Sequence, residues 1–357
     1  MDIKPTILSP LLALISAAVI VTVGLWIAGI SAVSVFTTLW FGAAGDFYRL
    51  SETAVKACPL LFTGLAVMLA LRAGLWNIGA EGQLLVGALA AAWVGQYTAS
   101  LPALLAITGL MTAAFSAGFL WAGCAAYLKQ KHNVNEVIST IMLNFVAVYF
   151  VSYGVHGPLM EAAGQYPQTD PLPLAATLPR LFPPSRFHLG VLLALVVAIL
   201  VWFYLFRTKA GFRLRATGAN PIAARFAGIA VEREIALAFL LSGALAGLAG
   251  GIEVSGVTQR VYEKFSPGYG YTAIAVALVG QRSPIGVIFA ALFFGALDAG
   301  ASTVQRTVGV SSALTSVIQA IVVLFLAAYS TETAQRLLHV YLARPERSLN
   351  EVGERAT

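Results

Sequence analysis

Long apolar runs separated by short polar segments make up most of this chain of 357 residues. A helix needs about 20 mostly apolar residues to cross a bilayer. The pattern predicts membrane segments at Ile7–Ile30, Cys58–Leu71, Gln83–Tyr97, Pro102–Leu128, Val137–Gly154, Leu189–Phe206, Ile235–Ile252, Gly268–Val279, Ile285–Ala301 and Ser312–Tyr329. We therefore expect an all-α fold, a polytopic transmembrane helical bundle with about ten membrane segments. Gly268–Val279 is short and glycine-rich, so we expect a half-helix or a broken helix there.

The polar stretches between these runs give the domain organisation. Residues 31–57 mix apolar and charged side chains, which is typical of an amphipathic segment at the outer interface. Seven of the fifteen prolines fall within residues 157–188, a density that excludes a long helix and predicts an external loop. Residues 1–330 are then one transmembrane domain, and residues 331–357 form a polar C-terminal tail.

The composition supports a membrane protein and sets its orientation. Apolar residues make up 59% of the chain and charged residues only 11%, whereas a soluble domain carries about 25% charge. The net charge of +6 does not indicate a nucleic-acid partner, because the basic residues bracket the apolar runs. Placing residues 207–233 inside puts fifteen of the 22 lysines and arginines on the inner side. This predicts that both termini are cytoplasmic.

The basic loop 207–233 carries a short helix with recognisable ends. Asn220 is a suitable N-cap and Pro221 suits the first helical position. Gly228 is a plausible residue just beyond the C-cap. The helix is either a surface connector between two spans or a docking element for another protein.

The stretch RATGANPIAARFAGI, residues 215–229, resembles the cytoplasmic coupling-helix segment of ABC importer permeases in the ribose, nucleoside and branched-chain amino-acid group. The resemblance implies that the chain contacts an ATPase subunit through Gly218, Asn220, Pro221, Ala223, Ala224, Arg225 and Gly228. It also implies a second permease, homologous or identical, an extracytoplasmic substrate-binding protein and a location in a bacterial inner membrane. This chain would bind no cofactor, because the partner ATPase would use the ATP.

A second stretch, RAGLWNIGAEGQ from Arg72 to Gln83, resembles the nucleoside-type subgroup of these permeases. It is either a cytoplasmic turn or a helix break at membrane depth, which is tolerated where it lines a cavity. The resemblance favours a break that brings Asn77, Glu81 and Gln83 to the substrate pathway. Hydrogen-bonding side chains of this kind suit a polyhydroxylated ligand such as a nucleoside or a sugar.

Polar residues within membrane segments are costly and are therefore functional candidates. We expect Asn144, Asp298 and Gln319 to lie on the substrate pathway. The structural alternatives are a paired or protonated Asp298 and interhelical hydrogen bonds for the two amides. Gly243, Gly247 and Gly251 recur every four residues, a spacing that serves either static packing or sliding of helices.

The chain lacks the motifs of an enzyme. It contains no GxxxxGK[ST] phosphate loop, no HExxH and no GxSxG, and its histidines and cysteines form no metal-binding pattern. We therefore expect transport rather than catalysis, with no metal site. An alternative is a secondary transporter driven by an ion gradient, for which Asp298 is the main coupling candidate. A membrane enzyme or a scaffold subunit has no supporting motif.

Overall fold

The computed structural model describes residues 5–309 and, beyond them, residues 317, 318, 320, 321, 324, 325 and 328. The α-helices are α1 (Pro5–Ile27), α2 (Ala32–Ala44), α3 (Phe47–Arg72), α4 (Ala80–Gln96), α5 (Ala103–His132), α6 (Glu136–His156), α7 (Leu189–Arg207), α8 (Lys209–Ala219), α9 (Pro221–Phe226), α10 (Val231–Glu253), α11 (Tyr269–Val279) and α12 (Pro284–Val308). A π-helical turn, Val254–Thr258, continues α10. In this part of the chain the only β-structure is two isolated bridges, so the all-α prediction is confirmed.

Six helices within the described residues are long and apolar enough to cross a membrane: α3, α5, α6, α7, α10 with its π-helical turn, and α12. Shorter apolar helices cover Ile15–Ile27, Ala32–Ala44 and Tyr269–Val279. The chain is thus a polytopic helical membrane protein with six candidate spans, and the count of about ten stays a prediction. Ser312–Tyr329 is described only at scattered positions, and the tail 331–357 lies outside the described residues.

The chain divides into two compact units, one formed by Trp40–Gly300 and the other by residues before and after it. The second unit has its own apolar core, in which Val21, Leu25, Val35, Val304 and Ile318 pack together. The first unit contains most of the helices and all the candidate functional residues that the structure describes.

Helix α3 is the central element of the first unit, and from Cys58 to Leu71 every one of its residues is buried. It begins at Phe47, capped by Asp46, so the predicted start at Cys58 is wrong. Glu52 and Lys56 interrupt the apolar pattern of its first turns, and both residues form ion pairs inside the chain. Glu52 forms an ion pair with Arg186, and the Nζ of Lys56 lies 3.9 Å from Oδ2 of Asp298. Residues 31–57 are therefore not one amphipathic segment but α2 and the start of α3.

Glycines let α10 pack backbone to backbone against α4 and α5. A Cβ atom on Gly118 would lie 2.2 Å from the carbonyl oxygen of Gly243, and one on Gly87 would lie 2.5 Å from the Cα of Gly247. No real Cβ fits at these distances, so the neighbouring backbones occupy the space of the missing side chains. The four-residue spacing of glycines in α10 thus serves close helix packing in this structure.

The proline-rich segment 157–188 forms no α-helix and only one 3-10 turn, Leu174–Ala176, as its composition predicts. It ends at His188, whose Nδ1 accepts a hydrogen bond from the backbone N–H of Gly190 and so caps α7. Burial, together with the nearby charges of Arg180 and Arg186, lowers the pKa of His188 to about 4. The ring is therefore neutral at pH 7 and can act as the acceptor that this cap requires.

Candidate functional site

The stretch between Arg72 and Gln83 contains a non-helical segment, which we call the helix break and which both alternatives for this stretch require. Helix α3 ends at Arg72, α4 begins at Ala80, and the seven residues between them are not helical. The break packs against Asn144 and Ser242, near the middle of α6 and α10. Irregular backbone packed between candidate membrane spans is tolerated where it is buried in protein or lines a water-filled cavity, and here its polar groups have partners within the protein.

Asn77 supplies several of those partners. Its Nδ2 donates to Oε1 of Gln83 at 2.9 Å and to Oγ of Ser242 at 2.8 Å. Its Oδ1 accepts from the backbone N–H of Gly79 at 3.0 Å and from Nε2 of Gln83 at 3.2 Å. Ser242 in turn donates to the carbonyl of Ala66 at 2.7 Å, so the network joins the break to α10 and α3.

Asn144 attaches the same region to α6. Its Oδ1 accepts from the backbone N–H of Gly82 at 2.8 Å, and its Nδ2 donates to the carbonyl of Ile78 at 2.9 Å. The Nδ2 also contacts the hydroxyl of Tyr271 on α11 at 3.3 Å. An asparagine can make four hydrogen bonds, and three of those of Asn144 are made to neighbouring elements of this chain.

Glu81 connects α4 to the half-helix α11. Its Oε2 accepts from the backbone N–H of Gly270 at 2.7 Å, in the first turn of α11. A carboxylate at this position satisfies an unpaired N–H and complements the positive end of the helix dipole. The short helix predicted at Gly268–Val279 is present as α11, and Glu81 bonds to its first turn.

The structure thus brings four of the six predicted pathway residues together: Asn77, Glu81, Gln83 and Asn144. All four are buried, with at most 5% of each residue exposed, and they bond mainly to one another and to neighbouring backbone. This arrangement supports a positioning role for the four residues, while direct contact with a ligand remains a prediction.

The other two predicted pathway residues lie elsewhere. Asp298 is beside Lys56, which corresponds to the paired alternative considered from the sequence. Gln319 lies outside the described residues.

Sequence reasoning missed an exposed stripe on α6, which we call the α6 stripe. It consists of Phe145, Tyr149, Ser152 and His156, which recur at helical spacing; Phe145 and Tyr149 are 55% and 74% exposed, and Ser152 is partly exposed. Ser152 Oγ donates to Oε1 of Glu263 at 3.3 Å. The spacing was visible in the sequence, but only the structure shows that these residues face away from the buried stripe containing Asn144.

The basic loop folds into two helices, α8 and α9, where the sequence predicted one. Helix α9 has the predicted ends: the Oδ1 of Asn220 accepts from the backbone N–H groups of Ile222 and Ala223, each at 3.0 Å. Pro221 is the first helical residue. Gly228 lies just beyond the C-cap with φ of +77°, a conformation that glycine adopts without strain.

The two faces of α9 differ in a way that the sequence did not reveal. Ala224 is 4% exposed and its carbonyl accepts from the backbone N–H of Ile229, so this residue faces the chain itself. Phe226 and Ile222 face outward, with 91% and 68% of their surface exposed. Arg225 forms an ion pair with Glu232 at the start of α10. The surface available to a partner is therefore formed by Ile222 and Phe226, with the exposed Ala223 beside them.

Gly218 has an internal packing role. A Cβ atom on this residue would lie 2.1 Å from the carbonyl oxygen of Arg72. Gly74, with φ of +79°, lies on the other side of the same contact. The two glycines let α8 touch the end of α3, which fixes the loop that carries α9 to the helix break.

Comparison with known proteins identifies a matching family. Residues 49–327 match the family described as "Branched-chain amino acid transport system / permease component". This range contains the helix break, α9 and the α6 stripe.

Several relatives have related names. The chain is 39% identical over 328 residues to the glucose ABC transporter permease protein TsgB13 of Haloferax volcanii, with 89% of this chain and 86% of that protein covered. It is 37% identical over 325 residues to the guanosine ABC transporter permease protein NupP of Bacillus subtilis, with 90% and 93% covered. A second guanosine ABC transporter permease protein of Bacillus subtilis, NupQ, is 28% identical over 258 residues, with 68% and 78% covered.

Proposed function

This chain belongs to the family of permease components of the branched-chain amino acid transport system, and we propose that it is the membrane subunit of an ABC importer for nucleosides or related sugars. The observation that carries the proposal is the capped helix α9, which presents a large aromatic side chain, Phe226, that is 91% exposed. An exposed side chain of this kind on a short rigid helix suits a docking contact with another protein. The names of TsgB13 and NupP support the substrate class.

We propose that the ATPase subunit binds the outer face of α9 and hydrolyses ATP for the complex. The docking contact is formed by Ile222 and Phe226, while Asn220, Pro221 and Gly228 hold the helix in shape. Ala224 and Gly218 fix it to the rest of the chain, so that a movement of the ATPase reaches α10 and α3. Arg225 contributes through its ion pair with Glu232.

The second permease of the complex is proposed to be a homologue of this chain rather than a copy. Bacillus subtilis has two proteins named guanosine ABC transporter permease, and this chain resembles NupP more closely than NupQ. It would therefore pair with a protein of the NupQ type, in a bacterial inner membrane, and receive substrate from an extracytoplasmic binding protein at the outer loops.

The substrate pathway is proposed to run along the α6 stripe and Tyr271. Aromatic rings can stack on a nucleobase or a sugar ring, and the hydroxyl groups of Tyr149 and Ser152 can bond to its polar edge. The network of Asn77, Gln83 and Asn144 holds α4, α6 and α11 in the positions that form this face.

Replacement of Tyr149 by alanine is expected to weaken substrate handling. Stacking of an aromatic ring on a base is worth about 1–3 kcal/mol, so the apparent KM for nucleoside uptake should rise at least fivefold while ATPase assembly stays intact. The matched control is Tyr153→Ala, because Tyr153 is similarly exposed but lines an apolar cavity between α4, α5 and α6. An equal effect of both substitutions would remove the α6 stripe from the pathway.

The proposed orientation predicts the outcome of reporter fusions. A reporter active only in the cytoplasm should work when it is fused after Arg215, at the basic loop, and should fail after Thr169, in the proline-rich segment. The reverse pattern would overturn the orientation and, with it, the assignment of α9 to the ATPase side.

An experiment with collapsed gradients separates this function from a secondary transporter. Uptake by the importer requires ATP and survives the loss of ion gradients. Uptake by a secondary transporter would stop when the gradients collapse, and its main coupling candidate would be Asp298, which the structure places beside Lys56.

A further inference from the structure

The side chains of Arg72 and Arg215 converge at the C-terminal end of α7, around the ring of Phe206. The Cζ atom of Arg72 lies 5.6 Å from the centre of this ring and that of Arg215 lies 5.1 Å from it. The Nε of Arg72 also donates to the carbonyl oxygen of Arg282 at 2.6 Å. We call Arg72, Arg215 and Arg282 the arginine cluster. Its members come from α3, α8 and the turn before α12, so they meet only in the folded chain.

The glycine contact between α3 and α8 is what brings the cluster together. Because Gly218 lies directly against the carbonyl of Arg72, the helix that carries Arg215 sits at the end of α3. The guanidinium groups of Arg72 and Arg215 lie on the same ring of Phe206, so their like charges repel each other. Repulsion of this kind is unfavourable unless an anion lies nearby.

The two arginines on Phe206 are pre-oriented. The Nε of Arg72 donates to the carbonyl oxygen of Arg282, and the Nε of Arg215 donates to the carbonyl oxygen of Leu205 at 3.0 Å. Each guanidinium therefore keeps its terminal amino groups for another acceptor. Across residues 5–309, no carboxylate lies within ion-pair distance of any member of the cluster.

The position of the cluster indicates what the anion is. Helix α7 is a candidate membrane span that ends at the charged residue Arg207. The last turn of such a span is expected at the boundary of the hydrocarbon layer. Phe206 is 36% exposed, and Arg207 stacks on Trp202 with its Cζ 5.5 Å from the ring centre. Aromatic and arginine side chains in this arrangement are typical of the level of the lipid headgroups.

We propose that the arginine cluster binds the phosphate of an anionic phospholipid headgroup at the inner face of the membrane. Guanidinium groups bind phosphate oxygens through paired hydrogen bonds, and basic pockets between helices at this level bind acidic lipids. The bound lipid would fix the end of α3 to α8 by cancelling the repulsion within the cluster. Its placement at the inner face rests on the orientation proposed above, but the site does not depend on the identity of the transported substrate.

The test uses the full permease complex in detergent, with native mass spectrometry of bound phosphatidylglycerol and phosphatidylcholine. Wild type should retain phosphatidylglycerol in preference. Each arginine near an acidic surface is worth about 1 kcal/mol, so Arg72→Gln or Arg215→Gln should weaken this binding about fivefold, and the double variant about 25-fold. Arg282→Gln should also weaken the binding about fivefold, because it removes one charge. It keeps the backbone carbonyl that accepts from Arg72, so Arg72 should stay in place.

The matched control is Arg306→Gln, which removes one charge from an exposed arginine whose Nε also bonds a backbone carbonyl, that of Ser302 at 3.0 Å. It should leave phosphatidylglycerol binding unchanged. Equal retention of phosphatidylglycerol by wild type and by the Arg282→Gln and Arg215→Gln variants would overturn the proposal. So would competition by glycerol 3-phosphate at equal affinity, which indicates a free-anion site. Loss of ATPase co-purification with lipid retention unchanged would assign the cluster to a protein partner instead.

Discussion

A complex carrying Phe226→Glu is expected to insert normally and to lose both ATPase docking and uptake. The side chain is 91% exposed, so the substitution removes little contact within the described chain, and glutamate is a good helix former. A buried aromatic anchor at an interface is worth at least about 2 kcal/mol, which corresponds to binding at least about thirtyfold weaker. Co-purification of the ATPase and substrate-stimulated hydrolysis measure this loss directly.

Two controls separate docking from a general effect of charge. Phe226→Tyr keeps the aromatic ring and should retain docking. Leu174→Glu places the same charge on a residue that is 87% exposed in the proline-rich segment, and it should leave ATPase co-purification unchanged. Full substrate-stimulated hydrolysis by the Phe226→Glu complex would mean that α9 is only a surface connector.

The second large effect is expected for Gly247→Ala, which should destabilise the helical core. A Cβ atom on Gly247 would lie 2.2 Å from the carbonyl oxygen of Ala114 on α5. Backbone atoms cannot rotate away as a side chain can, so the two helices must separate. Overpacking of this kind costs about 1–3 kcal/mol. Thermal unfolding of the purified permease in detergent should therefore begin at a lower temperature than in the wild type.

The control is Gly109→Ala on α5, because a Cβ atom there would meet nothing within 4 Å. This substitution should leave the unfolding temperature unchanged or raise it, since alanine favours a helix more than glycine does. If Gly247→Ala unfolds like Gly109→Ala, the close contact of α5 and α10 is not a determinant of stability.

Short-range sequence rules predict the ends of helix α9 but not which of its faces is exposed. Its cap at Asn220, its first residue Pro221 and the glycine beyond its end follow from short-range hydrogen bonding and backbone conformation, so the sequence predicts them correctly. Which face is outside depends on how α8 packs on α3, and this contact is distant in sequence. The sequence alone therefore does not show that Ala224, which the resemblance implies as an ATPase contact, is buried against its own chain. Nor does it single out Phe226, which is exposed.

The helix break illustrates the same limit for polar residues. The resemblance to nucleoside-type permeases points to Asn77, Glu81 and Gln83, and the cost of polar groups within membrane segments points to Asn144. The structure brings these four residues together. The sequence could not show that their partners are backbone groups of the break and of α11, as for Glu81 and Gly270. Hydropathy also misplaced the start of α3, because the ion pair that neutralises Glu52 comes from Arg186, far along the chain.

The most direct test of the importer assignment is uptake into proteoliposomes that contain this chain, a NupQ-type permease, the ATPase and the binding protein. Labelled guanosine serves as the substrate, ATP is supplied on the ATPase side, and ionophores collapse all ion gradients. The account predicts uptake that requires ATP hydrolysis, continues without gradients and disappears in the Phe226→Glu complex. Uptake that proceeds without ATP and stops when the gradients collapse would contradict it.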